Sequence, residues 1–209
     1  MSNQEEQFDV FDRQMNRIGT ASRSDVHRQG LWHQTFHCWV WRNTSVGPVF
    51  LVQERHPGKD TFPRLLDISC AGHLLTGEGA EDGVRELEEE LGLRVPFSDL
   101  VPCGIYAEED FISERLIDRE FCHVFIYRSD QPLTNYVLQE EEVTGLYQLT
   151  VEQLRHLAEG GWTDAVLEGV SRRKDGKLES SRRHTIKNDF VPHPGDYYRL
   201  LLQTWEMIK

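Results

Sequence analysis

Glu86, Glu89 and Glu90 carry the most specific chemistry in the chain. They belong to Glu81-Asp-Gly-Val-Arg-Glu-Leu-Glu-Glu-Glu-Leu-Gly92, which has the spacing of a helix over 81–91 closed by Gly92. At about 100° of rotation per residue, the three carboxylates fall within about 100° on one face, and Val84, Leu87 and Leu91 form a buried stripe about 60° wide. Carboxylates so arranged repel one another unless a cation sits among them, and hard oxygen ligands suit Mg²⁺ or Mn²⁺. Such a run is more commonly a solvated acidic face, which is the reading for Glu88. Here, however, a glycine-containing loop, Gly72 to Gly77, precedes the helix, lets the backbone approach a ligand and offers carbonyls to a metal. Arg85 stands one turn from Glu81 and Glu89 and can brace a carboxylate.

The segment resembles the Nudix box, the signature of Nudix hydrolases. Arg85, Glu86, Leu87, Glu89, Glu90, Gly92 and Leu93 match its second half, and Gly72 and Glu78 its first. Six residues separate Glu78 from Arg85 where the family has seven, which leaves the role of Glu78 open. The resemblance covers about residues 30–160. It implies an α/β/α sandwich with a mixed β-sheet that cleaves diphosphate linkages with Mg²⁺ or Mn²⁺. By residue matching, Gly72, Glu86, Glu89 and Glu90 would hold metal. The general base would come from Glu89, Glu120 or the Glu140-Glu141-Glu142 run, with Glu141 its representative.

Around the box the chain also resembles type I isopentenyl-diphosphate isomerases. His33-Gln-Thr-Phe-His-Cys-Trp39, the loop residues Arg55, Lys59 and Pro63, the pair Gly72-His73, and Asp118-Arg-Glu-Phe-Cys122 match that branch. His27 would complete its histidine set, one residue out of register. The match implies a mixed nitrogen and oxygen metal site from His27, His33, His73, Asp118 and Glu120, with His33 and His73 otherwise contacting substrate. Arg55 and Lys59 would bind the diphosphate under either chemistry, although Lys59 also suits a solvated loop. The isomerases carry a cysteine directly before Gly-His, where this chain has Ala71. Cys70 lies one residue earlier, a shift that reverses the face on a strand. With the intact Arg-Glu…Glu-Glu core, this favours the hydrolase over the isomerase. A third alternative is a non-catalytic nucleotide sensor. His56, His156, His184 and His193 have no such support. Trp39, Phe62 and Tyr106 offer rings on which a base could stack, with packing the commoner role for Trp39 and Tyr106.

Strands and turns must position these groups. Phe8–Phe11 and Arg17–Thr20 suggest a hairpin, and Ser22 caps a short helix to Arg28. Strands are expected at 35–41, 48–53, 100–106, 119–127 and 143–149, and a helix at 151–159 capped by Thr150. The expected organisation is an N-terminal hairpin and short helix (1–29), a Nudix domain (30–160) and a C-terminal extension (161–209). The extension holds a basic loop, 171–187, then a helix over 196–208.

The 209 residues suit one domain with extensions. No apolar run approaches the ~20 residues of a membrane span, and the polar start, Met1 to Gln7, lacks a signal-peptide layout. A net charge of −12 weighs against nucleic acid as partner. A small diphosphate compound is the expected partner, with a homodimer also considered. Cys38, Cys70, Cys103 and Cys122 form no close pair, which fits buried thiols in a reducing cytoplasm. The acidity is local: residues 78–142 hold 18 of the 35 acids but 5 of the 23 bases. Glu88 and Glu114 within it are expected at the surface.

Overall fold

Asp12 closes the first hairpin. Its carboxylate accepts from the backbone N–H groups of Gln14 and Asn16, an Asx-type turn between β1 (Gln7–Phe11) and β2 (Arg17–Ser22). Ser22 then caps α1 (Arg23–Gln29) by accepting from the Asp25 N–H. The computed structural model describes residues 5–113 and 116–209. Met1 to Gln4 and Glu114 therefore lie outside the described residues.

The remaining elements follow as β3 (His33–Thr44), β4 (Gly47–Arg55), β5 (Leu66–Asp67), β6 (Cys70–His73), α2 (Arg85–Leu91), β7 (Val101–Ser113), β8 (Leu116–Arg128), β9 (Val143–Thr150), α3 (Val151–Glu159), β10 (Ala165–Arg172), β11 (Leu178–Thr185) and α4 (Gly195–Ile208). Nine strands join in one sheet, in the order β11-β10-β9-β4-β3-β8-β7, with β5 on β4 and β6 on β3. β3 and β8 run parallel while the other named pairs run antiparallel, so the sheet is mixed.

Alternation along β3 builds a core on each face. Phe36, Cys38 and Val40 pack with Leu87 and Leu91 of α2, whereas Trp39 and Trp41 pack with Leu154 of α3 and Tyr197, Leu201 and Trp205 of α4. Each large side chain so buried contributes roughly 1.5–3 kcal/mol. The sheet lies between helical layers, the α/β/α arrangement expected, with the small hairpin at the N-terminus.

Two local expectations are corrected. The basic stretch 171–187 is largely strand rather than a solvated loop: β10 and β11 pair antiparallel and extend the sheet beyond β9. Its charges are matched across strands, with Arg182 bridging Glu168 at 2.8 Å and Arg183 bridging Glu54 at 2.9 Å, while Leu167 packs into the core on the α3 and α4 side and Val170 into the core on the α2 side. The two apolar residues serve opposite faces of β10, so no alternating pattern marks the strand. The helix expected from Glu81 is regular only from Arg85, after a tight 3-10 turn over Asp82–Val84. There Gly83 packs so closely on Phe36 that a Cβ would lie 2.5 Å from the Phe36 Cβ.

Candidate active site

Strand register gathers the polar face. His33 lies opposite Glu120 across the parallel β3–β8 pair, and Thr35 lies opposite both Cys122 and His73. On β7, Glu108 and Asp110 lie opposite Glu120 and Asp118. Directly paired residues share a face, and Thr35, His73, Glu108, Asp110, Asp118 and Glu120 line one cleft of about 930 Å³, whereas His33 and Cys122 are fully buried. The same cleft takes in Arg55, Lys59, Gly72, Arg85, Glu86, Glu89, Glu90, Glu141 and Glu142.

The helix face meets the cleft as its spacing requires. Glu86 and Glu90 are buried, while the Glu89 side chain is half exposed. Glu90 accepts weakly from the Gln53 side-chain amide and the Ala71 N–H, both at 3.3 Å. Glu86 lies against Gly72, where an added Cβ would sit 2.1 Å from the Glu86 carboxyl carbon. Arg85 donates to Glu86 and Glu89, and it is anchored by Glu78 at 3.2–3.3 Å and by the His73 carbonyl at 3.0 Å. The shortened loop therefore gives Glu78 a definite task, orienting Arg85. Burial raises Glu86 to about 7 and, with Glu86 and Glu142 nearby, Glu90 to about 8. Two buried carboxylates that resist ionisation are groups whose charge a divalent cation would compensate.

A second cluster adjoins the first. His27, His33 and His73 bring ring nitrogens within 4.8 Å of one another, and His33, Asp118 and Glu120 bring a ring nitrogen and two carboxylate oxygens equally close. The His33 Nε2, His73 Nε2 and Asp118 Oδ1 atoms are buried without a hydrogen-bond partner among the described residues. His27 Nδ1 and His33 Nδ1 donate to the carbonyls of Arg23 and Leu31 at 2.8 and 3.0 Å, turning each Nε2 toward the cluster. Burial lowers His33 to about 4 and His73 well below the usual histidine value, which keeps both rings in the neutral, metal-ligating form. Burial, reinforced by neighbouring carboxylates, raises Glu120 to about 7 and Asp118 to about 8. Neutral imidazoles, an unpartnered Asp118 oxygen and the Glu120 carboxylate on one centre fit a divalent ion. Phe8 of the N-terminal hairpin stacks on His73 and His33, with ring centroids 4.7 and 5.5 Å away.

The other expected residues divide. Lys59 ion-pairs with Glu142, whose carbonyl accepts from the His56 N–H at 2.8 Å, while Glu141 is exposed at the cleft and Glu140 pairs with Arg172 at 2.9 Å. Arg55 directs its guanidinium to the Thr61 carbonyl and to Asp67. Trp39 is core, Tyr106 packs on Tyr197, and Phe62 lines the cleft. Cys70 is fully buried in the α2-side core, and burial raises its thiol pKa far above the ordinary value, whereas Ala71 lines the cleft.

Sequence reasoning missed Asp67, Glu108 and above all His193. His193 lies 2.9 Å from Asp67 and 3.0 Å from Glu108. One signal was present, an acid inside the apolar run Leu65-Leu66-Asp67-Ile68.

The NUDIX domain model matches residues 31–167. An uncharacterised Nudix hydrolase of Clostridium acetobutylicum is 40% identical over 200 residues, 96% of this chain and 97% of its own length. Isopentenyl-diphosphate Delta-isomerase 2 of Photorhabdus laumondii is 29% identical over 170 residues, 78% of this chain and 90% of its own. Among solved structures, a Deinococcus radiodurans protein shares the fold with a TM-score of 0.57 at 23% identity, covering 75% of this chain and 90% of that one.

Proposed function

The chain belongs to the NUDIX domain family, whose members hydrolyse phosphorus-containing acid anhydrides, and from that premise we propose that it cleaves the diphosphate linkage of a nucleoside diphosphate derivative, or a related small diphosphate compound, with Mg²⁺ or Mn²⁺. The observation that carries this is the pair of buried carboxylates at the cleft, Glu86 against Gly72 and Glu90 beneath the Ala71 N–H.

In this mechanism Glu86, Glu89, Glu90 and the Gly72 carbonyl would hold the ion, which would supply positive charge against the diphosphate and make the attacking water more acidic. Arg85 keeps Glu86 and Glu89 aimed at the cleft. Lys59 meets the anionic substrate, with Arg55 holding the loop that carries it. Glu89, the half-exposed member of the trio, accepts the proton of the attacking water, while Glu86 and Glu90 stay fixed by their buried contacts. Glu141 at the rim is the alternative base, and Glu120, with the histidines, would hold a second divalent ion.

The expected result is metal-dependent release of phosphate or a nucleoside monophosphate in a screen of diphosphate compounds. Glu90→Gln should abolish it, and Glu89→Gln should reduce it by about 10²-fold or more. Unchanged turnover in both variants would remove the assignment.

The isomerase has one observation in its favour, the His27, His33, His73, Asp118 and Glu120 cluster. Against it stands the absence of a thiol facing the cleft at position 71 and the burial of Cys70. Isomerisation of isopentenyl diphosphate that is lost in Cys70→Ala would reverse the preference. Tight nucleotide binding without any turnover would favour the sensor.

A further inference from the structure

His193 comes from outside the matched domain, yet it enters the cleft wall by a defined route. Phe190 bridges to Leu66, and the Val191 N–H donates to the Leu66 carbonyl at 2.9 Å. The segment before α4 therefore runs beside β5 and brings His193 to Asp67. Tyr197, on the first turns of α4, stacks on the imidazole with centroids 4.7 Å apart.

The contacts then continue without a break. His193 Nε2 lies 2.9 Å from Asp67 Oδ1, and the other Asp67 oxygen accepts from Arg55 Nη1 at 2.9 Å. Arg55 in turn donates through Nε and Nη2 to the Thr61 carbonyl at 3.1 and 2.9 Å. Thr61 belongs to the 56–64 loop, which carries Lys59. That loop holds two non-glycine residues in left-handed conformations, Phe62 at φ 47° and Arg64 at φ 66°. Such angles persist only when surrounding contacts fix them, and the Arg55 clamp is such a contact.

We propose that His193 is a positioning residue for substrate binding: through Asp67 it aims the Arg55 guanidinium, and through Arg55 it holds the 56–64 loop and Lys59 over the cleft. The inference rests on reading the cleft as a diphosphate site. Its ring is bonded to carboxylates on both nitrogens, with Glu108 on Nδ1, which only an imidazolium satisfies by donating twice. Burial opposes that charge, but Glu108 and Asp67 outweigh it and hold His193 well above the usual histidine pKa. The bonds to His193 and Arg55 likewise keep Asp67 well below the carboxylate range despite its burial. Without the imidazolium, two buried carboxylates, Asp67 and Glu108, lose their charged partner, and Arg55 loses a fixed acceptor.

The test is calorimetric binding of methylenediphosphonate to the full chain with Mg²⁺, for the wild type, His193→Gln, Arg55→Gln and the double variant. His193→Gln should weaken binding about tenfold, the low end of what loss of an outer-shell partner costs, and should cause no further loss in the Arg55→Gln background. A merely structural role would lower affinity in both backgrounds. Equal affinity of His193→Gln and wild type, or multiplicative losses in the double variant, overturns the proposal. If His193→Gln does not fold by circular dichroism, Asp67→Asn takes its place, with the same loss expected and the same dependence on Arg55. Hydrolysis with unchanged His193→Gln binding removes this inference alone. Binding that follows the cycle, without hydrolysis of any diphosphate, supports it and removes the hydrolase. No binding by the wild type overturns both.

Discussion

The missing side chain at position 72 decides where Glu86 points. With the Gly72 α-carbon so close that a Cβ would fall 2.1 Å from the Glu86 carboxyl carbon, an alanine there cannot be accommodated unless the carboxylate moves. The contact is with a functional group, so the effect should appear in metal affinity before it appears in folding. Gly72→Ala is expected to weaken Mn²⁺ binding, measured by calorimetry, by about 10–100-fold, the range seen when a ligand's support is disturbed, with the circular dichroism spectrum retained. Wild-type affinity in that variant would mean that Glu86 does not help to hold the ion. Arg85 works on the same trio from the opposite side. Its contacts with Glu78, Glu86, Glu89 and the His73 carbonyl tie Glu86 and Glu89 to β6, the strand that carries His73.

The elements explain why some groups could be read in advance and others could not. Glu86, Glu89 and Glu90 share a face because of the helical period alone, so their convergence needs no tertiary information. His33, His73 and Glu120 were reachable through motif resemblance, and strand register then brings them together. His193 has neither advantage. It lies between two prolines, outside any periodic element, and its partner Asp67 is 126 residues away in sequence. The pairing exists only because the chain from Phe190 runs beside β5. The strands β10 and β11 were hidden for a different reason, since Leu167 and Val170 serve opposite faces of β10 and leave no alternating apolar pattern. The N-terminal hairpin was visible as a hairpin, but its task was not. Phe8 is fully buried and stacked on two of the imidazoles, so β1 acts as a wall that fixes their planes. Phe8→Ala should cost about 3–5 kcal/mol of stability. Phe8→Leu, which keeps most of the volume, should instead weaken Co²⁺ binding at the histidine cluster and change its visible absorption spectrum. An unaltered Co²⁺ spectrum in Phe8→Leu would reduce the hairpin to ordinary packing.

At the scale of the whole molecule, the concentration of acid between Glu78 and Glu142 becomes a stability problem that a metal would relieve. Burial raises Glu86 and Glu120 to about 7 and Glu90 and Asp118 to about 8, whereas carboxylates in an unfolded chain ionise near pH 4. Between those values the folded chain binds more protons than the unfolded one, so stability falls as pH rises. His193 acts in the same direction: with its folded pKa raised, its contribution is complete below the ordinary histidine value and is lost as pH climbs through the folded one. His33 and His37, lowered to about 4, and His73, also lowered, act oppositely, because the unfolded chain gains their protons first on acidification. Their effect is confined to pH values below about 6.5, leaving a window from there to about 8 in which the carboxylates and His193 act together. In the presence of chelator, the melting temperature should therefore fall by at least about 4 °C between pH 6.5 and 8.5, at the 2–4 °C per kcal/mol expected for a chain of this length. Added Mn²⁺ should raise it more at pH 8.5 than at pH 6.5, because the ligands are then already ionised and metal binds without displacing their protons. A metal-free melting temperature that is flat or rises across that window would show that these acids are not held against ionisation in the folded chain. The cleft would then have no electrostatic need for a cation.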